Sequence, residues 1–293
     1  MHPLASLDET ELTGLARVAD RLLSNRRLLN PGRRTNRRRA GFGIEFLDLR
    51  EYVPGDDVRN IDWRASARSR HPQLRRYCDE ASSDWFILLD CSASMAFAGG
   101  GKWSLALQCC AALAYLLMHL GNRVGIHVFS ESIEHSLPLG RGQHHYGSIL
   151  QFLRNIQPSR IGSGSAPGCC ARSIRRNSPL FVISDFLRAD AMRGDLDALA
   201  LRAGRLHSIQ ILADADSRPP EQQGSRLQDI ESGALLDVDS SPARRAEFLQ
   251  AFDEWERELA QYCREKRIYF SRHRHIDAWK SVLIRHLNQS AIP

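Results

Sequence analysis

Hydrophobic residues in the C-terminal two thirds of the chain follow two alternating patterns. Short apolar runs, typical of buried strands, are separated by longer stretches with apolar positions at helical spacing. The strand-like runs span residues 85–90, 123–130, 179–185 and 205–212, with a weaker run at 267–271. The helical stretches span residues 102–120, 146–156, 191–203, 242–266 and 278–288. This alternation predicts an α/β fold, with a doubly wound, mostly parallel sheet that is covered by helices on both faces.

The N-terminal third has a different pattern. Apolar residues at helical spacing predict one helix over residues 8–24, and an arginine-rich segment follows at residues 26–39. Between residues 41 and 84, charged residues interleave with apolar ones around the turn signal "VPGDD", which predicts irregular strands and turns. We therefore predict an N-terminal extension at residues 1–80, consisting of a helix, a basic linker and this block, and a domain at residues 81–293.

The positive charge of the chain is a local feature. The formal net charge is +6, and the segment Arg26–Arg39 alone contains seven arginines and no acidic residue. Such a segment can contact phosphates in nucleic acid or an anionic membrane surface. It contains no aromatic residue on which bases could stack, so we interpret it as a solvated linker.

The cysteines and the apolar segments predict a cellular location. The seven cysteines form no CxxC pair, which favours a reducing compartment. The most apolar stretch, Leu105–Met118, is shorter than the roughly 20 residues that cross a bilayer, so it is predicted to be a core helix. The N-terminus has acidic residues where a signal peptide has a basic start and an apolar centre. These features predict a cytoplasmic protein without a membrane span.

Oxygen-bearing side chains follow two of the predicted strands. Asp90, Ser92 and Ser94 come after the first strand in "LLDCSASM", and Ser184 and Asp185 end a later one in "PLFVISDF". If the two strands are neighbours, these side chains meet at one edge of the sheet. Carboxylates and hydroxyls are hard ligands, which suit Mg²⁺ or Mn²⁺. The alternative interpretation is that Ser92 and Ser94 cap the loop and the turn that follows.

Two segments resemble known families. "DCSAS" resembles the metal-ion-dependent adhesion site (MIDAS) of von Willebrand factor A domains, whose pattern is Asp-x-Ser-x-Ser with a later threonine and aspartate. "EFLDLREYVPGDDVRNIDWRASAR", followed by "LLDCSASM", is similar to the bacterial domain-of-unknown-function 58 (DUF58) family, as are "VISDF" and "LQDIESGALLDVDSS". This resemblance implies a von Willebrand factor A-like, Rossmann-like core.

The resemblance also implies a set of metal ligands for Mg²⁺ or Mn²⁺. By position, Asp90, Ser92, Ser94 and Asp185 match the ligands of the adhesion site. The threonine of the family is absent, because this chain has "IGSGSAPGCC" where the family has a Gly-Thr-Asp segment. Ser163 or Ser165 could supply the hydroxyl, and we choose Ser165 because Pro167 can open the helix that follows.

The block at residues 50–68 has two possible roles. Its aspartates and arginines can form ion pairs that fix an irregular turn, which is the more common role of such a pattern. It can also form a docking surface centred on Trp63, since aromatic residues and arginines dominate interface hot spots. The candidate partner-binding residues are Arg50, Asp56, Asp57, Arg59, Asp62 and Trp63.

We therefore expect a non-enzymatic interaction protein that binds a carboxylate of its partner through a divalent cation. The family resemblance implies a MoxR-type AAA+ ATPase as partner, in chaperone-like assembly or activation of a client protein. An ATPase site in this chain is not expected, since "GGGKWS" departs from the phosphate-binding pattern at Ala96 and Trp103. No small-molecule substrate is expected. Two alternatives are a metal-dependent hydrolase, for which no nucleophile is visible, and a nucleic-acid binder acting through the arginine-rich segment.

Overall fold

A computed structural model of the chain describes residues 2–22, 40–41, 45–54, 56–69, 71–78, 83–158, 164–187, 189–218, 225–228, 235–238 and 241–291. Contacts divide it into two compact units, one made of Met1–Leu29 with Asp84–Pro293 and the other of Asn30–Ser83. Ser163 and the arginine-rich segment Arg26–Arg39 lie outside the described residues.

The described helices and strands alternate over most of the chain. The helices are α1 (Glu9–Leu22), α2 (Trp63–Ser66), α3 (Gly101–His119), α4 (Gly142–Arg154), α5 (Ala189–Ala200), α6 (Asp214–Ser217), α7 (Pro242–Glu265) and α8 (Trp279–Ala291). The strands are β1 (Ala40–Gly41), β2 (Glu45–Glu51), β3 (Gln73–Cys78), β4 (Asp84–Asp90), β5 (Arg123–Phe129), β6 (Ile133–Gly140), β7 (Pro179–Ser184), β8 (Arg205–Leu212), β9 (Ser225–Gln228), β10 (Leu235–Val238) and β11 (Tyr269–Arg274).

A six-stranded sheet in the order β11-β8-β7-β4-β5-β6 forms the centre of the larger unit. The first five strands run parallel, and β6 is antiparallel to β5. Strands β4 and β7 are almost completely buried, as expected for central strands that have apolar side chains on both faces. The predicted α/β fold with a mostly parallel sheet flanked by helices is confirmed at this level.

Each face of this sheet has its own hydrophobic core. On the first face, α1, α3, α4 and α8 pack against residues such as Ile87, Ile126 and Phe181. On the second face, α5, α7 and a 3₁₀ turn at Pro167–Ser173 pack against residues such as Leu88 and Val182. The alternation of side chains along β4 explains this division, since neighbouring residues point to opposite faces.

Helix α3 is the most apolar element of the structure. Among the described helices, it is the one that is long and apolar enough to cross a membrane by length and composition, and 72% of that window is buried inside the protein. The predicted core helix at residues 105–118 therefore corresponds to most of α3. Its residues pack against the first face of the sheet and against α1, α4 and α8.

The N-terminal helix α1 belongs to the larger unit. The amide of Gln108 in α3 donates hydrogen bonds to the carbonyl of Pro3 and the hydroxyl of Ser6, and the hydroxyls of Thr13 and Tyr115 lie 3.1 Å apart. The prediction had placed this helix in the N-terminal extension at residues 1–80, whereas the contacts group it with residues 84–293. The smaller unit itself contains a three-stranded antiparallel sheet in the order β1-β3-β2.

Strand β6 is the main element that the sequence pattern did not predict. Its sequence, "IEHSLPLG", has few apolar residues, and most of its side chains are exposed or half-buried. A sheet edge that faces solvent does not need the continuous apolar run of a central strand. Strands β4, β7 and β8 were predicted because they are buried on both faces.

The turn between α5 and β8 leaves no room for a side chain at Gly204. A Cβ atom there would collide with the carbonyl oxygen of Asn177, which lies in the turn before β7. We expect Gly204→Ala to lower the free energy of unfolding by about 1–3 kcal/mol, measured by urea denaturation. Gly147→Ala is the matched control, because a Cβ at this position of α4 meets open space and alanine favours helix. Equal stability of the two variants would contradict the packing at Gly204.

Candidate functional site

The ends of β4 and β7 bring the predicted site residues together. These strands pair in parallel with Leu89 opposite Ile183, so Asp90 and Ser184 follow at the same edge of the sheet. Asp185 comes directly after β7. The sequence prediction that Asp90 and Asp185 lie on neighbouring strands agrees with this register.

Hydroxyl groups from three segments of the chain surround the Asp90 carboxylate. Ser165 and Ser184 each donate a hydrogen bond to Oδ2 of Asp90, both at 2.6 Å. The backbone N–H of Ser92 donates to Oδ1 at 2.8 Å, and the hydroxyls of Ser92 and Ser94 lie 3.1 Å apart. All five side chains are buried. We call this group of Asp90, Ser92, Ser94, Ser165 and Ser184 the Asp90 cluster.

The environment of Asp90 disfavours its negative charge. Burial, together with the nearby charge of Asp185, raises the pKa of Asp90 to about 6, although the serine hydrogen bonds act in the opposite direction. The hydroxyls alone therefore do not compensate for the loss of water around this carboxylate. A cation at the cluster would lower the pKa again.

A buried lysine neutralises the second carboxylate. Nζ of Lys102, in the first turn of α3, lies 2.8 Å from Oδ2 of Asp185 and 3.0 Å from Oδ2 of Asp216. The side chain of Lys102 is fully buried, and those of both aspartates are nearly so. Burial lowers the pKa of Lys102, but the two carboxylates outweigh this effect and raise it overall. Lys102 therefore carries a positive charge next to the Asp90 cluster.

Sequence reasoning missed Lys102, Asp216 and the role of Ser184. Lys102 had been considered only as part of a failed phosphate-binding pattern. It is the one charged residue of α3, which otherwise contains apolar and small polar side chains and a histidine. A lone charge at the start of an apolar helix was the available signal, because a buried charge requires a partner. Asp216 follows β8 in the short helix α6 and also accepts a hydrogen bond from the N–H of Ala213 at 2.7 Å.

The donors of the Asp90 cluster suit a hard cation. Every side-chain donor is a carboxylate or hydroxyl oxygen, as Mg²⁺ and Mn²⁺ prefer. The described residues contain no group of three or more His, Cys, Asp or Glu side chains that could hold a metal. Asp90, Ser92, Ser94 and Ser165 could hold a cation here, whereas Asp185 would share its charge with Lys102.

The predicted docking block lies in the smaller unit, where each of its aspartates Asp56, Asp57 and Asp62 pairs with an arginine. Arg50 pairs with Asp56 at 2.6 Å, Arg59 with Asp57 at 2.9 Å, and Arg75 with Asp62 at 2.9 Å. Asp57 and Asp62 also accept hydrogen bonds from backbone N–H groups at the start of the turns that follow. These pairs lower the pKa of each aspartate below its usual range, first through hydrogen bonds with the arginines.

Trp63 differs from the paired charges around it. It is 70% exposed, and Val53 and Val58 of the same unit are also more than half exposed. The aspartates therefore fix the turns through ion pairs and hydrogen bonds, which is the first of the two roles considered for this block. Trp63, Val53 and Val58 take no part in these pairs and form the exposed apolar surface of the smaller unit.

Similarity to known proteins assigns the family. Residues 48–258 match the family described as "Protein of unknown function DUF58". The chain belongs to the DUF58 family. Uncharacterised proteins of Mycobacterium tuberculosis and Mycobacterium bovis are 31% identical to it over 217 residues, which cover 72% of this chain and 68% of theirs.

Two solved structures are similar to this DUF58 chain. One is the conserved hypothetical protein BatB from Bacteroides thetaiotaomicron, with a TM-score of 0.43 and 16% identity over 72% of this chain and all of the other. The other is an aerotolerance-related membrane protein from Bacteroides fragilis, with a TM-score of 0.42 and 21% identity over 72% of this chain and 98% of the other. The predicted cytoplasmic location is contradicted by the membrane description of this second protein, and we withdraw it.

Proposed function

We propose that this DUF58 protein is a non-enzymatic interaction module that captures a partner through a divalent cation, Mg²⁺ or Mn²⁺, at a MIDAS-type site. The core would then be von Willebrand factor A-like. The observation that supports this most strongly is the convergence of four serine side chains with Asp90 at the end of β4. The Asp-x-Ser-x-Ser loop provides Asp90, Ser92 and Ser94. Two further segments of the chain provide Ser165 and Ser184.

The charges around the cluster favour binding of a cation. Among the described residues, Asp90 is buried and has no ion-pair partner, because the Lys102 ammonium contacts Asp185 and Asp216 instead. A divalent cation held by Asp90, Ser92, Ser94 and Ser165 would have few negative ligands from this chain. Since Mg²⁺ takes about six oxygen ligands, positions would be left for water or for a carboxylate of the partner.

The same contacts argue against the hydrolase alternative. A hydrolase needs a nucleophile or a general base beside the reacting atom. Lys102 is an ammonium ion held by two carboxylates, so it has no free electron pair to act as a base.

The partners follow from the family resemblance. A MoxR-type AAA+ ATPase would supply the energy, and a client protein would offer the carboxylate that completes the cation site. The exposed Trp63 surface of the smaller unit is a second place where a partner would dock, since exposed aromatic residues are typical anchors of interfaces. The proposal assigns recognition to this chain and ATP hydrolysis to its partner.

The first test is a calorimetric titration of the protein with Mn²⁺ and Mg²⁺. We expect saturable binding to the wild type, and Asp90→Ala should weaken it by at least about tenfold because the one carboxylate of the Asp90 cluster is removed. Ser173→Ala is the matched control, because this serine is exposed at the end of the 3₁₀ turn and should leave binding unchanged. Circular dichroism of each variant verifies that it is folded.

Two outcomes would contradict the proposal. One is the absence of saturable binding of either ion to the folded wild type. The other is equal binding by the wild type and a folded Asp90→Ala protein, which would place the ion elsewhere.

A further inference from the structure

A groove of about 580 Å³ lies on the second face of the sheet, over β4, β5 and β6. On this face, α5 packs against β8 and α7 against β11, whereas the 3₁₀ turn at Pro167–Ser173 packs against β4 and β5. This short turn leaves part of the sheet face open. We call this space the arginine groove, because four of its lining residues are Arg172, Arg175, Arg176 and Arg202.

The floor of the arginine groove is apolar and aromatic. The rings of Phe86 and His127 stack with centroids 5.5 Å apart, and Leu139 and Ile174 line the floor beside them. Nδ1 of His127 is hydrogen-bonded to the Ser136 hydroxyl at 2.8 Å, while its buried Nε2 has no partner among the described residues. Burial lowers the pKa of His127, so the ring is neutral and belongs to the apolar floor.

The rim of the groove is positively charged and held in place. Arg202 donates hydrogen bonds to the carbonyls of Ala171, Arg172 and Ile174 at 3.1–3.3 Å, which fixes the turn that carries the other arginines. Arg175 pairs with Asp84 at 2.7 Å. Arg172 and Arg176 are exposed, and the described residues offer neither side chain a carboxylate within 4 Å. None of the described residues that line the groove is acidic.

We infer that the arginine groove binds an acidic segment of a partner protein. An apolar side chain of that segment lies on the Phe86 and Leu139 floor, and neighbouring carboxylates pair with Arg172 and Arg176. Arginine binds carboxylates through two parallel hydrogen bonds, and Arg202 already orders the loop, so little conformational entropy is lost on binding. A concave site with an apolar floor suits a side chain that enters it, whereas a flat anionic membrane contacts only the rim.

The arginine groove is separate from the Asp90 cluster. Arg175 of the groove pairs with Asp84, which is the first residue of β4, whereas Asp90 is the last residue of the same strand. Six steps along a strand separate the two positions by about 20 Å. Binding in the groove therefore requires no cation and no contribution from Asp90.

The test is fluorescence anisotropy of the full chain with short labelled peptides that have glutamates on both sides of one leucine. We expect saturable binding that weakens at higher salt, and Arg172→Glu with Arg176→Glu should reduce the affinity by at least about tenfold. Arg257→Glu, an exposed position on α7, is the matched control and should leave the affinity unchanged. Replacement of the peptide's leucine by serine should weaken binding several-fold.

Three results would overturn the inference. The first is equal binding of glutamate peptides and matched glutamine peptides, and the second is unchanged affinity of the double variant. The third is binding to phosphatidylglycerol vesicles that the double variant loses, with no peptide binding by the wild type. Asp90→Ala and chelation of metal should leave peptide binding unchanged, so this inference and the proposed cation site can fail independently.

Discussion

Lys102→Met is expected to lower the free energy of unfolding by about 3–5 kcal/mol. The substitution keeps the length of the side chain but removes the ammonium that lies between Asp185 and Asp216. Two buried carboxylates are then left without a positive partner, and one of them is close enough to raise the pKa of Asp90. Urea denaturation monitored by circular dichroism measures the change.

The matched control for Lys102→Met is Lys266→Met. Lys266 pairs with Asp197 at 2.9 Å, but both side chains are more than 40% exposed, so we expect a loss below about 1 kcal/mol. Adding Asp185→Asn to Lys102→Met should restore part of the stability, because it removes one of the uncompensated charges. A loss no larger than that of the control would contradict the role of Lys102 as the internal cation.

Stability is also expected to fall steeply as the pH decreases from about 7.5 to 4.5, because three buried histidines resist protonation. His207 and His286 lie 3.1 Å apart, and Ser271 connects His286 to His273 at 2.7 and 2.8 Å. Burial lowers the pKa of His286 to about 3 and that of His273 to about 4, and that of His207 falls well below its ordinary value of 6.5.

The sign of this effect follows from proton uptake. Below pH 6.5 the unfolded chain protonates these histidines while the folded protein keeps them neutral, so acid favours unfolding. Each histidine that stays neutral to pH 4.5 contributes a loss of about 2–3 kcal/mol relative to pH 7.5. Asp90 acts in the opposite direction, because its raised pKa of about 6 lets the folded protein bind a proton at a higher pH than the unfolded chain does. The histidines outnumber it, so the net change is a loss.

Urea denaturation at a series of pH values measures this loss. His207→Phe should flatten the pH dependence, because the ring stacks between Phe181 and Tyr269 and phenylalanine keeps those contacts. His135→Gln, at an exposed position of β6, should leave the pH dependence unchanged. A stability that is constant between pH 7.5 and 4.5 would contradict the buried histidine network.

Much of the central sheet could be predicted from the sequence because its inner strands are buried on both faces. A short apolar run such as "WFILLD" is typical of a buried strand, and the parallel strands agree with the predicted ranges to within a few residues. Strand β6 could not be found in this way, since an edge strand needs neither a continuous apolar run nor strict alternation.

The site was predictable only in part. The order of the strands was enough to bring Asp90 and Asp185 to one edge of the sheet. Ser165 was chosen from the family resemblance and from Pro167, and it donates a hydrogen bond to Asp90. The pairing of Lys102 with Asp216 depends on contacts between residues 114 positions apart, which no local pattern contains. The arginine groove likewise lies where, among the described elements, a short 3₁₀ turn and not a helix packs against β4 and β5, and only the assembled fold reveals such an opening.

Strand β6 also determines how this sheet can meet other proteins. Edge strands recruit further strands when they are long, flat and apolar. In β6, Pro138 lacks an N–H donor, the pairing with β5 shifts register twice, and Glu134 and His135 are exposed. These features block extension of the sheet by a strand from another chain. Recognition at this end of the molecule must therefore rely on side chains, and copies of the protein should not polymerise through this edge even when they are crowded together.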